Sequence, residues 1–171
     1  MKKCFSMTAA VLFASIFFGS ALYASPETAK SQNGLFPEEI VSADALKKML
    51  DEHEKFVLFD ARDKRSFEIS HIRDAVLPRT EDYYRQEELF RTGLTPVSPD
   101  ANAALKEAVQ RSPRTTPIVT YCNANCHASS ALALQLKGLG FTNVRSMEEG
   151  IQAWEKKDYP VVKPARVPRD A

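Results

Sequence analysis

Residues 117–140 read PIVTYCNANCHASSALALQLKGLG, and the order of the pieces in this stretch decides the fold. Pro117 opens an apolar run of strand length, Ile118, Val119, Thr120 and Tyr121, which Cys122 closes. Polar residues 123–127 follow. An Ala/Leu-rich segment, 128–139, then reads as a helix that is apolar on most faces and stops at Gly138 or Gly140. A buried strand that passes through a short loop into a buried helix is the unit from which parallel α/β sheets are built. The same layout is expected to aim backbone N–H groups and a helix N-terminus at the Cys122 sulfur, favouring the thiolate and making Cys122 a nucleophile.

Outward from this unit the same alternation recurs. Residues 56–59 are a continuous apolar run closed by Asp60, as in a strand buried on both faces, and 43–50 carry an apolar helical stripe at Ala45, Leu46, Met49 and Leu50. Ile40 and Val41 form a short strand candidate, 66–70 a helical turn, and 75–77 a brief strand stopped by Pro78. Asp100 reads as the N-cap of a helix over 101–110, 143–145 as a further strand, and 150–157 as a last helix. Between them, residues 79–99 form a charged and aromatic stretch broken by Gly93, Pro96 and Pro99, expected to be a partly helical insertion. Strands alternating with helices over this length predict one α/β domain with a mainly parallel central sheet and helices on both faces. In such sheets ligands sit beyond the carboxyl ends of the strands, where Asp60 and Cys122 both fall.

The N-terminus reads as a targeting segment. Lys2 and Lys3 precede an apolar stretch over 8–18 and the small residues Ala21, Ala24 and Ser25, the pattern of a secretory signal peptide over residues 1–24. The apolar run is shorter than the roughly 20 residues a spanning helix needs. The expectation is export to a periplasmic or secreted location, with no stable membrane insertion after cleavage. Without Lys2 and Lys3, 21 basic residues face 22 acidic ones, and that near-neutral balance argues against a nucleic-acid partner. Cleavage also removes Cys4 and leaves only Cys122 and Cys126, too few for a disulfide scaffold.

Taken together, these residues resemble the rhodanese-like domain family. Leu58, Phe59, Asp60, Ala61 and Arg62, then Phe67, then His71, Ile72 and Ala75, are similar to its first signature. Tyr121 and Cys122 look like its strand and catalytic cysteine, and Gly140, Phe141, Asn143 and Val144 like the strand entry after its active-site helix. Met147, Glu148, Glu149, Gly150, Ile151 and Trp154 resemble its closing Gly-Gly-Ile-x-x-Trp signature, with Glu149 in place of the first glycine. The resemblance spans about residues 36–162, preceded by a flexible segment at 25–35 and followed by a tail at 163–171. It implies a rhodanese-like α/β fold and a sulfurtransferase in which Cys122 accepts a sulfane sulfur as a persulfide. The partners would be a small sulfur donor and a thiol or other thiophilic acceptor, and neither a cofactor nor a metal would be needed.

The resemblance makes Asn123, Ala124, Asn125, Cys126, His127 and Ala128 the substrate-binding loop, with Asp60 and Arg62 in support. Its loop departs from the family pattern, in which a glycine and a basic residue commonly follow the cysteine. Neutral Asn123 and titratable His127 would hold an anionic donor such as thiosulfate less well than fixed cations. Ala128 stands where related phosphatase loops need an arginine, which argues against phosphatase or arsenate reductase chemistry. Cys126 has two readings: a small packed residue in the first helical turn, or a thiol that resolves a persulfide or forms a redox couple with Cys122. His127 either tunes Cys122 or faces solvent, and His71 reads as structural. Arg79, Arg85 and Arg91 could add charge to the cleft or remain solvated. The alternative to an enzyme is a non-catalytic or redox-active module that binds a partner protein.

Overall fold

The computed structural model describes residues 30–163. The signal peptide expected over 1–24 and most of the tail at 163–171 lie outside the described residues. Four strands form a parallel sheet: β1 (Val57–Asp60), β3 (Ala75–Val76), β4 (Ile118–Tyr121) and β5 (Val144–Met147), in the order β3-β1-β4-β5. Helices α1 (Ala43–Asp51), α2 (Lys64–Ile69), α3 (Glu81–Arg91), α4 (Ala101–Val109), α5 (Ala128–Gly138) and α6 (Gly150–Lys156) alternate with them. A short antiparallel pair, β2 (His71–Ile72) with β6 (Val161–Val162), stands apart from the main sheet.

Period-two alternation along the strands splits the core into two layers. Leu58, Val119, Tyr121 and Met147 face α1 and α6, where they pack with Leu46, Met49, Ile151 and Trp154. Phe59, Ile118 and Val144 face the other side and pack with Leu105 and Val109 of α4, Leu132, Ala133 and Leu136 of α5, and Phe141. β4 lies between β1 and β5 and every one of its residues is buried, which is why its sequence is an unbroken apolar run rather than an alternating one.

Side chains set the helix starts. Ser42 accepts from the Ala45 N–H, Asp63 from Ser66, Thr80 from Tyr83, and Asp100 from both Asn102 and Ala103. At the end of α5, Gly140 adopts φ +93°, and the Phe141 N–H donates to the Leu136 carbonyl at 3.1 Å, which turns the chain back so that Phe141 enters the core.

Several expectations change. The strand candidate at Ile40 and Val41 reduces to one parallel bridge between Ile40 and Ser146, because a short turn, Pro37–Glu39, precedes it and Ser42 starts α1 straight afterwards. β2 and β6 escaped the sequence reading, since two-residue strands carry no periodic signal. Residues 31–35, read as part of a loose lead-in, are pinned. Leu35 is wholly buried, the Ser31 N–H donates to the Leu35 carbonyl, and the Asn33 amide donates to Glu148 at 3.0 Å. α5 is less enclosed than its composition implied, with Ala131, Leu134 and Gln135 exposed along one face. The stretch 79–99 contributes α3, and its arginines are used locally: Arg85 pairs with Asp82, Arg91 with Glu88, and Arg79 donates to the Ala101 carbonyl.

Truncating Leu136, which is fully buried between α5 and the sheet, removes a contact that holds the active-loop helix in place. Leu136→Ala is expected to lower the free energy of unfolding by about 2–5 kcal/mol in a urea titration. A change below about 1 kcal/mol would mean that α5 is not seated on the sheet as described.

Candidate active site

At the carboxyl end of β1, Asp60 is a fully buried carboxylate, and an isolated buried charge is costly enough that it must be met on every side. Arg62 meets it with a two-pronged contact: Nη2 to Oδ2 at 2.6 Å and Nε to Oδ1 at 2.9 Å. The Arg62 backbone N–H donates to Oδ1 at 3.0 Å, and the Tyr121 hydroxyl, from β4, donates to Oδ2 at 2.6 Å. The network reaches a third segment as well. The Ile72 N–H donates to the Tyr121 hydroxyl oxygen at 3.2 Å, and Arg62 Nη2 donates to the Ser70 carbonyl at 2.5 Å. Burial alone would lower the Arg62 pKa, but the bonds to Asp60 outweigh it and hold the guanidinium above its usual value. Burial and the adjacent carboxylate push the Tyr121 phenol up, so it stays a donor.

Cys122 directly follows Tyr121. Its carbonyl accepts from the Ile151 N–H at 2.8 Å, which fixes the strand end against the start of α6. Gly150 makes that approach feasible: it adopts φ +73°, and a Cβ there would lie 2.2 Å from the Ala124 nitrogen. Glu149, which takes the place of the family's first glycine, has φ −62° and so needs no glycine. Its carboxylate accepts from the Ala43 N–H at 2.8 Å, which ties the α6 entry to the start of α1. Gln152 clamps the loop from α6. Its Oε1 accepts from the Ala124 N–H at 2.6 Å and its Nε2 donates to Asn123 Oδ1 at 3.1 Å.

The sulfur environment differs from the expected one. Cys122 is 1% exposed, and its Sγ lies 3.2 Å from the Asn123 carbonyl oxygen and 3.0 Å from that of Cys126. Both are acceptors, so the thiol donates and the loop carbonyls hold its proton. Three N–H groups of the loop are committed elsewhere: that of Ala124 to Gln152, that of Cys126 to the Asn123 carbonyl at 3.2 Å, and that of Ala128 to the Cys126 sulfur at 3.4 Å. Burial pushes the Cys122 pKa up. The Ser129 hydroxyl and N–H pull it down without cancelling the rise, and the Cys126 side chain adds to it. The thiolate expected at rest is therefore corrected to a protonated, enclosed thiol, because the loop folds its carbonyls inward.

The remaining loop residues separate by exposure. Asn123, Asn125 and His127 are exposed, while Ala124, Cys126 and Ala128 are half-buried. Asn125 sits at φ +58°, a left-handed conformation that Asn tolerates better than most residues. Cys126 lies before α5 rather than in its first turn, and His127 is the α5 N-cap without a side-chain cap bond. Asp60 and Arg62 bond to Tyr121 and to backbone, not to Cys122, and so act by positioning the strand end. His71 is structural as read, stacked on Phe67 at 3.9 Å with Nδ1 2.9 Å from the Phe67 carbonyl oxygen.

Sequence reasoning missed Ser129, whose fully buried hydroxyl lies close enough to the sulfur to lower its pKa, and missed the Gln152 clamp. Only the phase of α5, a quantity of the folded chain, turns Ser129 toward Cys122. A cavity of about 930 Å³ lies elsewhere, lined by α2 and α3 residues such as Lys64, Glu68, Tyr84 and Phe90. None of the loop residues 122–128 borders it.

The rhodanese-like domain family model matches residues 42–157. The chain belongs to that family. No curated protein matches it in sequence. Among solved structures, a rhodanese-like domain from an Anabaena protein superposes with a TM-score of 0.55 at 20% identity, over 78% of this chain and 86% of that one. A Bacillus halodurans protein gives 0.54 at 19% identity, over 72% and 76%. These structures share the fold.

Removing the Asp60 carboxylate strands the buried Arg62 guanidinium and frees the Tyr121 hydroxyl. Asp60→Ala is expected to destabilise the protein by about 3–5 kcal/mol in chemical denaturation. A loss under about 1 kcal/mol would show that the network does not hold the two strand ends together.

Proposed function

We propose that this protein is an exported single-domain sulfurtransferase in which Cys122 accepts a sulfane sulfur as a persulfide and passes it to a thiol or other thiophilic acceptor. The observation that carries this reading is the position of Cys122 at the junction of β4 and the α5 loop, with the buried Ser129 hydroxyl beside its sulfur. Membership of the rhodanese-like family supports it, as does the targeting pattern of the first 24 residues for export.

The chemistry is nucleophilic catalysis in two steps. The loop first turns the Asn123 and Cys126 carbonyls away, and the sulfur loses its proton. The thiolate attacks the outer sulfur of the donor, a new S–S bond forms at Cys122, and the bond to the donor's leaving group breaks. An acceptor nucleophile then attacks that outer sulfur and Cys122 departs as thiolate. Ser129 is placed to donate to the sulfur anion at the start and end of this cycle. With no arginine or lysine between residues 122 and 129, the loop suits a donor of low charge better than thiosulfate.

A second reading, a non-catalytic module that binds a partner protein, draws on the enclosure of the same thiol between two carbonyls. The two separate on one measurement. Cys122→Ser is expected to reduce sulfur transfer from a low-molecular-weight persulfide to an acceptor thiol to the uncatalysed rate. Equal rates in wild type and Cys122→Ser, with both folded, would favour the module.

The raised pKa of Cys122 has a sign that can be checked. A thiol whose pKa lies above the ordinary value holds less thiolate at any given pH, so its alkylation stays slow at neutrality. Labelling of Cys122 by iodoacetamide, followed by peptide mass, should rise with pH and inflect above the ordinary cysteine value of about 8.5. An inflection below that value would contradict the carbonyl-lined pocket.

A further inference from the structure

We propose that Cys126 is a resolving thiol, which attacks the persulfide on Cys122, closes a Cys122–Cys126 disulfide and expels hydrosulfide, so that the site can release sulfide as well as transfer sulfur. This inference rests on sulfur acceptance at Cys122. It adds an activity that the single nucleophile does not have.

Three observations carry it. First, Cys126 is not a packing residue: it is half-buried, lies outside α5, and belongs to neither core cluster. Its sulfur accepts the Ala128 N–H at 3.4 Å, which ties the side chain to the start of α5. Second, the loop folds Cys126 back onto Cys122. The Cys126 N–H donates to the Asn123 carbonyl, Asn125 takes the left-handed turn, and the Cys126 carbonyl oxygen reaches to 3.0 Å from the Cys122 sulfur. Third, Cys122 is enclosed to within 1% of full burial, so a bulky external thiol meets a barrier that a neighbour four residues along the same loop does not. A tethered thiol also acts at an effective concentration far above that of a free one.

The step balances without an added oxidant. Cys126 gives up its proton to solvent, and its sulfur attacks the inner sulfur, the one bonded to the Cys122 Cβ. A bond forms between the two cysteine sulfurs as the bond from inner to outer sulfur breaks, and the outer sulfur leaves with that electron pair as hydrosulfide. The sulfane sulfur is reduced by two electrons and the cysteine pair is oxidised by two. An external thiol or dithiol then reduces the disulfide and returns the pair to its starting state.

The test loads the reduced protein with one equivalent of glutathione persulfide and follows two readouts, hydrosulfide in solution and the mass of the peptide that carries both cysteines. Wild type should release hydrosulfide in an amount equal to the protein and yield a peptide lighter by two hydrogens. Cys126→Ser and Cys126→Ala should instead keep a peptide heavier by one sulfur, with hydrosulfide release lower by at least about tenfold. Cys122→Ser should give neither bridge nor sulfide.

A wild-type peptide that retains the extra sulfur without a bridge would overturn the resolving role while leaving sulfur acceptance intact. So would equal sulfide release from wild type and the Cys126 variants. Failure of the folded Cys126 variants and of wild type to take up sulfur at all would overturn the acceptance reading, and this inference with it. The wild-type masses decide the matter even where a variant folds poorly.

Discussion

A buried carboxylate holds this site together. Asp60 is out of reach of solvent at the end of β1, and its charge is tolerable only because Arg62, the Arg62 backbone and the Tyr121 hydroxyl all donate to it. Those donors belong to two neighbouring strand ends, and through Tyr121 and Arg62 the same network takes in the Ile72 N–H and the Ser70 carbonyl. Three stretches of chain meet around one charge. Since Tyr121 directly precedes Cys122, the carboxylate positions the Cys122 sulfur without touching it.

From that fixed point the loop is shaped by α6. Gly150 leaves room for the Asn123 and Ala124 backbone, the Ile151 N–H takes the Cys122 carbonyl, and Gln152 captures the Ala124 amide. The consequence is chemical. An amide that would otherwise be free to meet an anion is spent on holding the loop shut, and two carbonyls are turned toward the sulfur in its place. Enclosure leaves Cys122 almost without exposed surface, behind the loop residues 123–127. Cys126, half-buried, belongs to that same loop.

Much of this was legible from residue order. The apolar runs at 56–59 and 118–121 read as buried strands because both faces of a parallel sheet are covered, and Asp100 announced its helix because a side-chain oxygen at the N-cap answers an unpaired N–H. The position of Cys122 past the end of a central strand was equally plain. The antiparallel pair of His71 and Ile72 with Val161 and Val162 was not, since it joins segments far apart in the chain through too few residues to show a period. Nor was the order of strands, in which β1 sits between β3 and β4.

Sequence alone determined the class of the fold, the nucleophile candidate and the two thiols four residues apart, because hydrophobic period, capping chemistry and residue type are local properties of the chain. Tertiary structure decided the state of the sulfur. Whether an N–H or a carbonyl faces Cys122 depends on a glycine and a glutamine nearly thirty positions later, on the phase of α5 that brings in the Ser129 hydroxyl, and on the depth at which β4 ends. Burial and hydrogen-bond direction are properties of the assembled chain, and they turned an expected thiolate into an enclosed thiol.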